Sequence, residues 1–388
     1  MKDSTELIKL TDYYDEINGK RVKTVNPPVY NGSTVLFEKY EDMVLARSGK
    51  YDGIYYGTNR LPPQRAFEEA LRKLEGGHLT RAFQSGISAI INTLLAFTES
   101  GDHILLCENV YGPTARFCNE ILSRYNVDVS FVHSAAGTNI TKHIRQNTKL
   151  IFLESPGSNT FEIQDIPAIT AIARERDIIT ILDNTWATPI YLKPFELGID
   201  ISVQSVTKYI SGHSDVLLGA VTVNKKYARE FSNFYNVMEI FAPPHDCYLA
   251  LRGLRTLHLR LQQHERSALK IAQWLQKVDI VDTVIHPALP THPQHHIWRR
   301  DFTGSSGLFA FTFKEDHSEE EIASFINLLD LFGIGFSWGG FKSLITAGKY
   351  KRFSRSEYSG KTVIRLNIGL EDSDDLIKDL DKGLEVLK

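Results

Sequence analysis

The chain is short of cysteine, of net charge and of long apolar runs. Its three cysteines, Cys107, Cys118 and Cys247, are too few for a disulfide framework, and none lies in a Cys-x-x-Cys spacing. Forty-four basic residues against 47 acidic ones leave a net charge of −3. No bulk positive field therefore attracts nucleic acid or an anionic membrane. The apolar run over residues 90–97 stops far short of the roughly 20 residues that span a bilayer. The opening stretch MKDSTELIKLTDYYDE has no apolar segment of the kind a secretory signal needs. Internal repeats and low-complexity linkers are missing too. A reduced, cytoplasmic protein is expected, with no nucleic-acid or membrane partner. At 388 residues, 42% hydrophobic and 23% charged, it has the composition of an ordinary globular chain of two or three domains.

Short runs rich in Ile, Val and Leu recur at 103–107, 127–132, 150–153, 178–182 and 199–203. Each is bounded by turn residues, as expected of strands buried on both faces of a parallel sheet. The intervening segments are long enough for crossover helices, and 163–176 has helical apolar spacing. Residues 59–247 therefore read as an α/β domain with a mostly parallel sheet. Residues 248–388 begin with a long helical pattern, continue with strand-like stretches near 308–313 and 363–368, and end in an amphipathic helix, so they read as a smaller α+β domain. Residues 1–58 are rich in turns and aromatics and could bury no core alone. They read as an arm that packs on something else, such as another subunit.

Four patterns carry chemistry. In SVTKYISGH (205–213), Lys208 follows the end of an expected strand, with Ser205 and Thr207 beside it. Ligands of open α/β sheets lie beyond the carboxyl ends of the strands, and an amine there suits a Schiff base with an aldehyde cofactor. Asp183 closes an apolar strand 25 residues earlier, where a buried carboxylate needs a cationic partner such as a protonated pyridine. Gln84-Ser85-Gly86-Ile87 opens a helix whose start suits a phosphate. Tyr111, after the strand ending at Cys107, can stack on a flat ring. Each has a plainer alternative: a solvated lysine, a helix-capping aspartate, ordinary capping chemistry, a packed loop tyrosine. Phosphate turn, stacking ring, carboxylate and Schiff-base lysine in one chain favour a pyridoxal 5'-phosphate site.

The chain resembles the Cys/Met-metabolism pyridoxal phosphate enzymes along nearly its whole length. The likeness is carried by LEGG (74–77), FLESPGS (152–158), DNTWA (183–187), TKYISGHSD (207–215), RGLRTL (252–257), HPALP (286–290), RDFTGSSGLF (300–309), SWGG (337–340) and IRLNIGLED (364–372). RDFTGSSGLF and SWGG lean towards the bacterial cystathionine β-lyase branch. The resemblance implies the type I, aspartate aminotransferase-like fold and β-elimination from L-cystathionine or a similar S-substituted L-cysteine. It also implies roles. Lys208 would carry the cofactor and shuttle the proton, Asp183 would hold the ring nitrogen, and Tyr111 would stack. Ser85, Gly86, Ile87, Ser205 and Thr207 would hold the phosphate. Arg365 would clamp the substrate carboxylate beside Ser337 and Trp338. Tyr56 would reach a neighbouring subunit's site, which implies a homodimer with shared sites, usually paired into a tetramer. No metal is implied.

Three positions depart from the family pattern. Thr58 stands where the arm has an arginine on the partner's phosphate, leaving Arg60 as a substitute. Ser158 replaces a common asparagine, and Phe336 precedes SWGG in place of tyrosine. These changes motivate an alternative, γ-elimination or lyase action on another β- or γ-substituted amino acid. A second alternative is a binding protein that keeps the fold without the chemistry. The cluster His292, His295 and His296 reads as a solvated loop, the Arg-rich segment 252–266 as an amphipathic helix, and the cysteines as packing residues.

Overall fold

In the computed structural model, residues 2–9, 13–350, 358 and 360–387 are described. A seven-stranded sheet runs in the order Leu79–Phe83, Gly219–Val223, Ile201–Gln204, Ile179–Asp183, Thr148–Glu154, His103–Cys107, Asp128–Val132. Only Gly219–Val223 opposes its neighbours; the other pairings are parallel. The expected runs are therefore strands, and the sheet is mostly parallel as expected. Central strands such as Ile179–Asp183 and His103–Cys107 are buried throughout, which is why they lack polar alternation. Two apolar clusters cover the sheet, one containing Leu105, Leu153 and Leu182, the other Ile104, Phe152 and Ile181. Their alternation along each strand is the period-two geometry of a pleated backbone.

The helix expected over 163–176 spans Ile166–Glu175. It starts later because Asp165 caps it, its carboxylate accepting from the Ala168 N–H. The long helical pattern is one helix, Pro244–Leu275, of 32 residues. Cys247 to Leu261 pack in the large-domain core, whereas Ala268 to Leu275 pack under the second sheet. That sheet orders Val281–Ile285, Leu308–Phe313, Thr362–Asn367, Leu344–Lys349 and Gly333–Ile334, antiparallel except at its last pair. The C-terminal amphipathic helix is Ser373–Leu384.

Residues 1–58 hold more regular structure than the sequence reading expects: a helix Asp3–Lys9, a hairpin Tyr13–Ile17 with Lys20–Thr24, and a helix Tyr40–Arg47 with no buried residue. Leu7 is buried in the chain's own core. Among the described residues no helix is long and apolar enough to cross a membrane, and no cluster of side chains is suited to a metal ion.

One surface reading needs correction. His292 is buried, and burial pushes its imidazole down to about 4, so it is a neutral packing residue rather than a solvated one. The Arg-rich segment 252–266 lies on an amphipathic helix, as expected, with Arg260 and His264 on its buried face.

Glu75, in LEGG, is fully buried and accepts from Gln204 Nε2 at 2.9 Å. Burial raises its carboxyl to about 7 from an ordinary 4.5, against weaker opposing effects of Gln204, Ser202 and Lys193. The folded chain thus holds this proton more tightly than the unfolded chain. The stability it contributes is fully present below about pH 4.5 and is lost as pH rises through about 7. Glu75→Gln is expected to remove this slope, making the variant more stable than the parent at pH 8 by about 2–3 kcal/mol. Melting curves from pH 5 to 8 check it; a parallel pH dependence in both chains would refute it.

Candidate active site

Five strands of the large sheet deliver functional residues to one edge. Strand 79–83 leads to Ser85 and Gly86, 103–107 to Tyr111, 148–154 ends on Glu154, 179–183 ends on Asp183, and 201–204 leads into Ser205 and Lys208. This is the carboxyl edge, where the chain leaves each strand and backbone groups are free of the sheet ladder. A cleft of about 350 Å³ opens there and is closed from the small domain by Phe336, Ser337, Trp338 and Arg365.

Lys208 lies on a tight turn after its strand. Its Nζ donates to Ser337 Oγ at 2.6 Å and sits 5.4 Å from the centroid of the Trp338 ring. Burial lowers its pKa to about 8, aided by the Arg365 charge and opposed by Asp183. The neutral amine, the nucleophilic form, is thereby far more populated near neutral pH than for an ordinary lysine. Ser337 holds this contact with φ +84°, a conformation unusual for a residue with a Cβ. Gly339, at φ +81°, lies against the Lys208 backbone; a Cβ there would come 2.7 Å from the Tyr209 nitrogen. The SWGG loop can approach Lys208 only with glycine at that position.

Asp183 pairs with Glu154 and Val203 on adjacent strands. Its Oδ1 accepts from the Thr185 N–H at 3.0 Å and from the Thr185 hydroxyl. Burial raises its pKa, while the Thr185 bonds and Lys208 oppose the rise. Oδ2 has no hydrogen-bond partner among the described residues. A buried carboxylate in this state suits a ring N–H⁺.

Gly86 begins the helix Gly86–Phe97, and the Ser85 side chain caps it by accepting from Ser88 N–H at 3.1 Å. The first-turn N–H groups at Gly86 and Ile87 precede the intrahelical ladder. A Cβ on Gly86 would strike Ser205, 2.5 Å from Oγ. Helix start and Ser205 hydroxyl therefore meet as a close-fitting anion cradle. Gly86→Ala is expected to lower pyridoxal phosphate affinity at least about 10-fold by pushing Ser205 out of this cradle; equilibrium titration of the visible cofactor band measures it, and unchanged affinity would dissociate the cradle from phosphate binding. Thr207 lines the same cleft, but its hydroxyl donates to Leu218 O at 3.1 Å and accepts from Leu218 N–H at 3.0 Å. Its one proton is already committed to the backbone.

Arg365 lies on Thr362–Asn367 and reaches Asn159 Oδ1 and Ser337 O, both at a long 3.4 Å. Burial lowers its pKa. Two weak contacts leave the planar fork available for a carboxylate. Tyr111 is half exposed at the mouth, and its backbone N–H donates to Glu154 Oε2 at 2.6 Å. Glu154 Oε1 accepts from the Ser158 hydroxyl at 2.6 Å. Glu154 thus ties together two walls of the cleft. Sequence reading missed it, along with Asn159 and Thr185; FLESPGS and DNTWA hold all but Asn159, which follows directly.

Tyr56 and Arg60 lie elsewhere in this chain. Tyr56, 45% exposed, lines a separate depression with Tyr55, Thr58 and Asn59. Arg60 does not stand free: it pairs with the buried Glu68 at 2.9 Å. Phe336 is 91% exposed at the cleft rim, and Ser158 lies inside.

Lysine, carboxylate, anion cradle and guanidinium form a donor set that fits pyridoxal phosphate with an amino acid. Comparison with known proteins agrees. The family model for the Cys/Met metabolism PLP-dependent enzymes matches residues 5–385. The chain is 41% identical over 367 residues to the cystathionine β-lyase of Escherichia coli, covering 92% of this chain and 93% of that protein. It is 38% identical over 398 residues to the L-alanine/L-glutamate racemase of Wolbachia pipientis, covering 99% and 97%. The crystal structure of the metB product of Corynebacterium glutamicum superimposes with a TM-score of 0.90 at 29% identity, covering 100% of this chain and 99% of that one. With that coverage and this cleft, the chain belongs to the Cys/Met metabolism PLP-dependent enzymes.

Proposed function

We propose that the chain is a carbon–sulfur lyase that eliminates the β-substituent of L-cystathionine, or of a similar S-substituted L-cysteine. The observation that carries this reading is a depressed lysine amine, held at Ser337, facing a guanidinium with room for a carboxylate. Arg365 would fix the α-carboxylate, with Ser337 and Trp338 beside it. Lys208, as the neutral amine, would take the α-proton and later return a proton to the departing sulfur. Bound pyridoxal phosphate supplies an aldehyde that joins the substrate amine and a protonated ring that draws electrons from the α-carbon. Asp183 would keep the ring nitrogen protonated; Ser85, Gly86, Ile87 and Ser205 would hold the phosphate, and Tyr111 would cover the ring. The C–S bond would break once the α-proton has gone, and the three-carbon enamine released would take up water. L-Cystathionine and water thus yield homocysteine, pyruvate and ammonia.

The half-exposed Tyr56, lying in a depression apart from Lys208, supports an arm that completes a second subunit's site. A homodimer, or a tetramer built from it, follows, with residues 1–58 as arm, 59–247 as cofactor domain and 248–388 as small domain. A cytoplasmic location accords with three buried, unpaired cysteines.

A second reading is amino-acid racemisation, favoured by the full-length likeness to the Wolbachia pipientis racemase. Both reactions begin with loss of the α-proton and differ in whether a β-substituent leaves. One assay separates them. The loaded enzyme is given L-cystathionine and, separately, L-alanine, and pyruvate, 2-oxobutyrate and D-alanine are quantified. Pyruvate as the dominant product supports the β-lyase; 2-oxobutyrate would establish γ-elimination; D-alanine with neither oxo acid would establish the racemase.

A further inference from the structure

The turn that carries Lys208 leaves two backbone carbonyls for another element to satisfy. Within it, Lys208 N–H donates to Ser205 O at 3.0 Å, Ser211 N–H to Val206 O at 2.9 Å and Gly212 N–H to Lys208 O at 2.9 Å. The Ser211 hydroxyl takes Thr207 O at 3.1 Å. The carbonyls of Tyr209 and Ile210 remain. Both go to one guanidinium: Arg260 Nη1 donates to Tyr209 O at 2.6 Å and Nη2 to Ile210 O at 3.2 Å. The same Nη2 reaches Gly253 O at 2.8 Å on Arg260's own helix, and Nε holds Thr256 Oγ1 at 3.1 Å.

This cation is 6% exposed, and among the described residues no carboxylate lies within ion-pair reach of it. A buried charge answered only by carbonyl dipoles and one hydroxyl is costly, and a neutral donor could have satisfied the same oxygens. The surroundings are fitted to it. Gly212, at φ +71°, has no Cβ because the guanidinium occupies that space, and Gly253 lets the helix press onto the carbonyls of Ile210 and Ser211. Tyr209 is fixed at its far end as well, its hydroxyl accepting from Gly307 N–H at 2.9 Å. The residue after Lys208 is thus clamped at both its carbonyl and its ring.

We propose that Arg260 is a positioning residue for the reactive amine: it caps the Lys208 turn from beneath and keeps the amine in its desolvated place at Ser337. The proposal rests on Lys208 as the reactive amine. A planar fork meets the two adjacent carbonyls from two nitrogens in fixed geometry, whereas an ammonium must reach both from one nitrogen on a flexible stem. Loosening the turn lets Lys208 into water, so its titration moves back towards that of an ordinary lysine and its aim at the α-carbon degrades.

The test uses Arg260→Lys and Arg260→Met in the full chain. Before cofactor loading, competitive acetylation of Lys208 across pH, read by peptide mass, follows the amine itself. After loading, kcat and KM are measured. The Lys208 titration is expected to rise by about one pH unit in Arg260→Met and by less in Arg260→Lys. kcat is expected to fall about 10- to 100-fold with KM changed less than about 3-fold, in the order Met below Lys below parent. A folded Arg260→Lys with parental titration and parental kcat overturns the proposal, and this variant decides the matter if Arg260→Met does not fold. If the parent turns over none of the sulfur amino acids, the lyase reading falls, while the acetylation shift still judges Arg260.

Discussion

Lys208→Ala is expected to lose turnover by about 10⁴-fold or more, because one substitution removes both the attachment point of the cofactor and the proton carrier. The fold should survive. Among the described residues Lys208 is in no ion pair; it hydrogen-bonds Ser337, and its burial as a cation is unfavourable, in line with its lowered pKa. A melting temperature at or above the parent's is therefore expected alongside the lost activity. The variant should also lose the visible band of the loaded enzyme. Turnover assays with S-substituted L-cysteines read the first effect, and absorbance after loading reads the second. Retained elimination would remove Lys208 from the reaction.

Arg365→Leu is expected to lower kcat/KM about 10²- to 10³-fold, chiefly through KM, because a carboxylate would enter a half-buried cleft without its guanidinium. Arg365→Lys keeps the charge but not the fork and should recover only part of the loss. The two hydrogen bonds Arg365 makes among the described residues are long, 3.4 Å each, so little stability is at stake. Initial rates across substrate concentration separate KM from kcat. An equal fall in kcat at unchanged KM would mean that Arg365 acts on the chemical step and not on carboxylate binding.

Much of this site was legible because strand ends can be read from sequence. Runs such as ILLC and ITILD are fully buried strands, and residues immediately after them must lie at the sheet edge. Asp183 and Lys208 follow from that rule, and the small-residue turn at Ser85-Gly86 follows from helix-start chemistry. Other features arise only when distant segments meet. Ser337 at φ +84° makes sense only against the Lys208 amine, 129 residues away. Glu154 reads as the end of a strand until its two oxygens are seen on Tyr111 and Ser158. His292 is in a polar, proline-containing stretch, yet it is buried, and its long-range contact is with the backbone of Phe161 in the other part of the chain. Arg260 lies in a run of Arg, Gln and His that looks solvated, and its burial comes from the close approach allowed at Gly253. Tyr56 and Arg60 show a different limit: in the proposed dimer they would complete another subunit's site, which a single chain cannot display, and Arg60 is paired with Glu68 at home.

The central claim is that the cleft at Lys208 receives the cofactor. The direct measurement is to load the protein with pyridoxal phosphate, reduce it with borohydride, digest it and locate the added mass among the lysine peptides. The mass is expected on Lys208, one per chain, and absent when Asp183 and Gly86 are both replaced. Modification of a different lysine, or none, would contradict the account.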